Sequence, residues 1–287
     1  QQDAFSAAFL PHGFVGNSAL RPCLGIAEHT VFVSNNGTLR LRVDRAALEQ
    51  RREVVVLEED MLSPVNICES SFKVDDVATS ILFPSCGVIA QHSSIDIRIV
   101  NPETCIEVAE NCVGEIWVDS PSKAAGYWNH GEVSEETFRA QLRCVGGVES
   151  TSPSVVPSSS VASYLRTGDL GFAHGGELFV TARIKDLIII RGRNIYPQDV
   201  EGAVAQDPRL RPGCCAAFAV LPGDVAALVV GVEGEGIPTT RDSTERLIVV
   251  AEVRDPTLPP PDLQAAADSL RARVRRQLSI SPWAVVL

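Results

Sequence analysis

Lysine is nearly missing from this sequence. Of its 25 basic residues only Lys73, Lys123 and Lys185 are lysines, and the rest are arginines. Positive charge as a whole is scarce: the formal net charge is −11. That argues against a nucleic-acid partner, because affinity for a phosphate backbone comes from a basic surface. No apolar run approaches the roughly 20 residues of a membrane span. The opening QQDAFSAAFL lacks the basic n-region of a secretory signal. Methionine occurs once, at Met61, and the first residue is Gln. The chain therefore reads as a piece of a longer polypeptide, with a processed N-terminus as the weaker alternative. Eight cysteines are present, yet none forms a C-x-x-C pair. Zinc binding is not supported by that spacing, and buried free thiols in a reducing, cytoplasmic setting are expected instead.

What is present is an ordinary globular composition, 45% hydrophobic over 287 residues, sufficient for one large domain or two smaller ones. SIDIRIV (94–100) alternates apolar and polar residues and predicts a half-buried strand. EVVVL (53–57), VGEIWV (113–118), ELFVTA (177–182) and DLIIIRG (186–192) also read as strands, as do AAFAVLP (216–222), VAALVVGV (225–232) and RLIVVAEV (246–253). VDRAALEQRRE (43–53) predicts a short helix. SEETF (134–138) predicts another, with Ser134 as N-cap and acids in the first turn. Pro197 suits the first turn of a helix running to about Gln206. DLQAAADSLRARVRRQL (262–278) has apolar residues at helical spacing and basic residues late. Residues 145–163, rich in Ser, Pro and Val, predict a flexible surface insertion. The order changes near residue 185, from strands and turns to a small unit of strands and helices. The expected boundaries are thus 1–185 and 186–287.

Asp169 stands in a glycine-flanked turn, TGDLG. A carboxylate there offers several lone pairs, enough for both hydroxyls of a ribose. On those residues alone an aspartate that merely closes its own turn is the commoner outcome. The wider context changes this. LGIAEHT (24–30), VGEIWV…GYWN (113–129), YLRTGDLG (164–171), GELFVTARIKD (176–186) and RGRNIYPQDVE (191–201) occur in one order across nearly the whole chain. Together they closely resemble the adenylate-forming enzymes, and within them the fatty acyl-AMP ligases.

The resemblance implies a mixed α/β (α+β) fold. Residues 1–185 would be the C-terminal portion of the large AMP-binding domain, and 186–287 a small, mobile and truncated C-terminal domain. It implies ATP and Mg²⁺ as cofactors, a fatty acid as substrate and a phosphopantetheinyl acyl carrier protein as acceptor. The parent would be free-standing or the loading module of a polyketide synthase. Asp169 matches the aspartate that binds the ribose hydroxyls, and Arg183 the arginine that reaches ribose and phosphate. Glu28 matches the glutamate that helps hold Mg²⁺. Gly25, Ile26 and Ala27 match the loop that lies against adenine, and Lys185 the hinge of the small domain. The chemistry agrees, since joining a carboxylate to an anionic α-phosphate needs cations where charge concentrates.

Ala27 stands where acyl-CoA ligases commonly carry Thr, and the interval from Thr30 to PSCG (84–87) is long. Both resemble the acyl-AMP branch, whose extra segment restrains the C-terminal domain and disfavours CoA. Arg191 and Arg193 are candidates to steer an acidic carrier protein, or simply a solvated strand end. Leu24 replaces the usual adenine-stacking aromatic, Ala182 the usual Gly before the arginine, and Ser120 a common glycine. These departures keep a non-catalytic, ligand-binding relative open as an alternative, and an acyl-CoA ligase as a weaker one. The family's phosphate loop and its C-terminal lysine have no counterpart here, so the chain alone is expected not to make acyl-AMP.

Overall fold

The computed structural model describes residues 5, 8–12, 21–61, 79–90, 92, 94–143, 162–221 and 245–287. The chain divides into two compact units, Gln1–Ile184 and Lys185–Leu287.

The first unit is built from antiparallel strands. Leu24–Gly25 (β1) pairs with Phe32–Ser34 (β2). Leu39–Asp44 (β3) pairs on one side with Val56–Met61 (β4) and on the other with Ser80–Pro84 (β5). The described part of the long interval after Thr30 thus contains a three-stranded sheet. Its short helix, Arg45–Arg51 (α1), is capped where Asp44 Oδ1 accepts the Ala47 N–H at 2.7 Å. The helix stops at Arg52, which turns left-handed at φ 55°.

The larger sheet has the order β6-β10-β9-β8-β7, formed by Gly87–Val88 (β6), Asp96–Val100 (β7), Gly114–Asp119 (β8), Leu165–His174 (β9) and Glu177–Arg183 (β10). Strand β7 has the predicted half-buried pattern. Ile97 and Ile99 enter the core while Arg98 turns out to Asp96 and Glu107. Strand β8 lies inside the sheet, between β9 and β7, and Gly114 to Val118 are all buried. That is why VGEIWV reads as a nearly continuous apolar run. The two sheets share a core: Phe172 stacks on its cross-strand partner Phe179 at 4.9 Å, and Phe83 of β5 meets Phe172 edge-on at 5.8 Å. Glu177 of β10 ties them further by accepting the N–H groups of Thr38 and Leu39. Burial raises the Glu177 pKa, but the hydrogen bonds from Ser85, Thr38 and Leu39 outweigh it and hold the carboxyl below its usual range.

One helix begins earlier than its sequence predicts. Gly131–Phe138 (α2) has His130 at its N-cap, and Ser134 lies inside it. The Ser134 hydroxyl bonds back to the His130 carbonyl at 2.6 Å and accepts the Tyr127 N–H at 2.8 Å. A serine often caps, but this one serves the preceding loop instead.

In the second unit, Ile188–Ile190 (β11) and Arg193–Ile195 (β12) form a tight hairpin. Its two loop residues, Arg191 and Gly192, both have positive φ, 52° and 77°. Pro197–Val204 (α3) follows with Pro197 in its first turn. Leu210–Val220 (β13), Arg246–Val253 (β14) and Ala284–Val286 (β15) make a sheet of order β13-β14-β15, with β15 parallel to β14. Pro260–Leu278 (α4) places Ala266, Ala267, Leu270, Val274 and Leu278 on one buried stripe. Most of that stripe joins Val200, Val204, Leu247 and Val249 in one core. The predicted strand VAALVVGV (225–232) lies outside the described residues, as do 145–161 of the predicted insertion. Among the described residues no helix is long and apolar enough to cross a membrane. The six described cysteines are free but none is fully buried, and Cys23 is exposed, contrary to the expectation of buried thiols. Cys23, Cys86 and Cys105 lie in loops, and Cys214 and Cys215 lie within β13, an outer strand of its sheet.

Candidate functional site

Asp169 lies within strand β9 and not in the turn its flanking glycines suggest, beside an irregularity in the β8–β9 pairing, and this stretch is supported from below by one buried carboxylate. Glu115, 2% exposed on the interior strand β8, accepts Trp117 Nε1 and Arg166 Nε, each at 2.9 Å, on Oε2. Its other oxygen accepts the Gly168 N–H at 3.1 Å. The Thr167 hydroxyl donates to the Ile116 carbonyl at 2.7 Å and accepts the Asp169 N–H at 3.0 Å. Gly168 has φ +73°, a left-handed conformation that favours glycine between Thr167 and Asp169. Its carbonyl accepts the Ile184 N–H at 2.8 Å. That bond continues the β9–β10 pairing one step beyond Asp169 and Arg183, which face each other in register.

The structure therefore brings these two predicted residues together. Arg183 Nε donates to Asp169 Oδ1 at 3.2 Å. The Asp169 side chain is 9% exposed and that of Arg183 is 71% exposed. A sheltered carboxylate accepts hydroxyl protons, while an exposed guanidinium donates to anionic oxygens. Ala182 is nearly buried beside an irregularity in the β10 register and needs no positive φ. An alanine fits there without strain.

Glu28 forms a second pair, in the 3-10 turn Ala27–His29. Its Oε1 accepts the Tyr127 hydroxyl at 2.8 Å, and its backbone carbonyl accepts the Ala124 N–H at 2.9 Å. The same turn is anchored by the buried His29, whose Nδ1 lies 2.5 Å from the Phe32 carbonyl and whose Nε2 meets the Ser120 hydroxyl. Thr30 donates to the Ser122 carbonyl at 3.2 Å. Ser120, a departure from the family pattern, thus satisfies a buried histidine. Partial burial, then the bond to Glu28, raises the Tyr127 pKa, so its hydroxyl stays the donor.

Gly25 is required by close approach: a Cβ there would lie 2.4 Å from the Val31 carbonyl oxygen. Leu24 and Ile26 are partly buried against Val33, Ile97, Ile99, Ile116, Val118 and Leu178. Their side chains serve the core, while Gly25 and Ala27 are exposed. Leu24 at the aromatic's position is therefore a packing residue. Lys185 is exposed in the 184–186 turn, at the start of the second unit. Arg191 is exposed, whereas Arg193 is half-buried and donates to the Leu278 carbonyl at 3.3 Å, capping α4. A cavity of about 690 Å³ beside β7, lined by Ile95, Ile97, Ile99, Val108 and Arg98, contains none of these residues.

Sequence reasoning missed Glu115, Trp117 and Tyr127 as parts of the site. The available signal was a charged residue inside a strand otherwise apolar throughout, Glu115 in VGEIWV. A glutamate there must meet buried donors.

Among the described residues no cluster of three or more His, Cys, Asp or Glu could hold a metal. Glu28 instead offers a single half-exposed carboxylate, whose Oε2 has no partner among the described residues. One or two such oxygens are what Mg²⁺ takes when substrate phosphates and waters supply the rest.

No family model matches the chain. It is 36% identical, over 99% of its own length and 40% of the relative's, to the medium-chain-fatty-acid–[acyl-carrier-protein] ligase JamA of Moorena producens. It is 33% identical, over 94% of its length and 40% of the relative's, to the long-chain-fatty-acid–AMP ligase FadD32 of Mycolicibacterium smegmatis. A solved structure from a study of fatty acyl-adenylate ligases of E. coli and L. pneumophila matches all of this chain and 41% of that one, with a TM-score of 0.69 and 26% identity. The chain thus spans about 40% of the length of the curated relatives it matches. It belongs to the fatty acyl-AMP ligases of the adenylate-forming family, of which it covers the C-terminal part.

Proposed function

We propose that the full-length protein joins a fatty acid to AMP at the expense of ATP and passes the acyl group to a phosphopantetheinyl carrier protein. The observation that carries this reading is the Asp169–Arg183 pair, a sheltered acceptor beside an exposed donor at the facing positions of one hairpin. Asp169 accepts the ribose hydroxyls, and Arg183 reaches ribose and phosphate. Gly25, Ile26 and Ala27 lie along the adenine, with Gly25 and Ala27 presenting backbone to it. Glu28 holds Mg²⁺, which when bound offsets negative charge on the phosphates. Lys185 is the hinge, residues 1–185 belong to the AMP-binding domain and 186–287 to the small mobile domain. Naming of a relative as an acyl-carrier-protein ligase supports the carrier as acceptor. A reaction that consumes ATP beside free thiols belongs in the cytoplasm.

The test is ATP-dependent acyl-hydroxamate formation, with pyrophosphate release, by the full-length protein across a range of fatty acid lengths. Asp169→Ala should lower kcat/KM for ATP by about 10–100-fold, the loss of a charge-assisted contact. An Asp169→Ala enzyme with unchanged ATP kinetics refutes the assignment. No adenylation by the intact protein would favour a binding role.

A further inference from the structure

We infer that Tyr127 is a positioning residue for Glu28, its hydroxyl fixing Oε1 and leaving Oε2 as the oxygen available to the divalent cation of a nucleotide. The inference rests on the metal-binding reading of Glu28 given above. A glutamate side chain turns about several bonds and loses that freedom when it takes a cation. The 2.8 Å bond from Tyr127 restricts it beforehand while occupying only one oxygen.

Tyr127 is itself held. Its ring meets Phe138, 2% exposed at the end of α2, edge-on at 5.0 Å. Its N–H donates to Ser134 Oγ at 2.8 Å. The preceding Gly126 has φ +150°, and a Cβ there would lie 2.8 Å from Ser134 Oγ. Helix α2 therefore fixes the ring and the backbone of Tyr127 independently of its hydroxyl. The backbone of Glu28 is equally independent of that hydroxyl, through Ala124 N–H, His29 and Thr30. Removing the hydroxyl frees one carboxylate and little else. A tyrosine that only braced the surface would act on stability and not on cation use.

The test compares wild type, Tyr127→Phe, Glu28→Gln and the double variant in the full-length protein. Binding of α,β-methylene-ATP is titrated by calorimetry with saturating Mg²⁺ and again in EDTA, so the readout needs no turnover. Tyr127→Phe should weaken the Mg²⁺-loaded nucleotide about 3- to 10-fold, part of the side-chain freedom that Glu28 regains and must lose again on binding. Binding in EDTA should not change. Glu28→Gln should weaken the loaded form at least as much, and Tyr127→Phe should add nothing to it. In turnover, Tyr127→Phe should raise the Mg²⁺ concentration for half-maximal rate. Tyr127→Phe equal to wild type, with Glu28→Gln weakened, overturns the positioning role and leaves the Glu28 reading standing. Glu28→Gln equal to wild type overturns both. Equal weakening with and without Mg²⁺, additivity with Glu28→Gln, or a Tyr127→Phe protein that does not fold assigns the hydroxyl to the fold and overturns the inference.

Discussion

Replacing Glu115 tests whether the stretch of β9 that carries Asp169 is held by one buried carboxylate. In Glu115→Ala the Trp117 Nε1–H, the Arg166 guanidinium and the Gly168 N–H lose their shared acceptor. Trp117 is fully buried, and the Arg166 side chain is only 25% exposed, so water replaces little of what is lost. Each stranded buried donor costs about 1–3 kcal/mol, and stranding a partly buried cation raises the whole toward about 3–5 kcal/mol; the contributions do not simply add. Glu115→Gln keeps the shape and one acceptor but points an NH₂ at a donor, for about 1–3 kcal/mol. Trp117 is the natural reporter. Urea unfolding followed by tryptophan fluorescence should show the midpoint falling in the order wild type, Gln, Ala with an unchanged slope. The melting temperature should fall by about 2–4 °C per kcal/mol for a unit of this size. Because Gly168 leads directly into Asp169, Glu115→Gln should also weaken AMP binding although Glu115 is buried beneath that stretch of β9. A Glu115→Ala protein within about 1 kcal/mol of wild type, or a Glu115→Gln protein with unchanged AMP affinity, would show that the stretch is held by something else.

Asp207 links the end of α3 to Arg209 and to Arg273 of α4, and its hydrogen bonds to Arg209 depress its pKa to about 2. A depressed carboxylate stabilises the fold above its unfolded pKa. Roughly 2 kcal/mol should therefore be present in the second unit above about pH 4 and lost as the pH falls to about 2. Asp207→Asn should flatten that acid limb in circular dichroism melts taken from pH 6 to pH 2, and an unchanged limb would refute the assignment. Ser120→Gly should destabilise by about 1–2 kcal/mol because it strands Nε2 of the buried His29. A more stable glycine variant in chemical denaturation would show that Ser120 is dispensable.

The sequence by itself determined what depends on neighbours along the chain. RLIVVAEV is the strand Arg246–Val253, and the apolar spacing of 262–278 places a helical stripe on the core. Both follow from the side-chain periods of strands and helices. The pairing of Asp169 with Arg183 belongs to the same class. They are 14 residues apart on one hairpin, and its closure sets their register. Only the tertiary structure decided what distant segments bring. Ser134 carries the marks of a cap, yet a loop seven residues earlier claims its hydroxyl. Leu24 matches an adenine-facing position, yet it packs against the core of the large sheet. Glu115 meets Gly168 across 53 residues, and Tyr127 meets Glu28 across 99. No period or spacing encodes such a meeting, because it depends on which strands lie side by side and on which buried donors still need an acceptor.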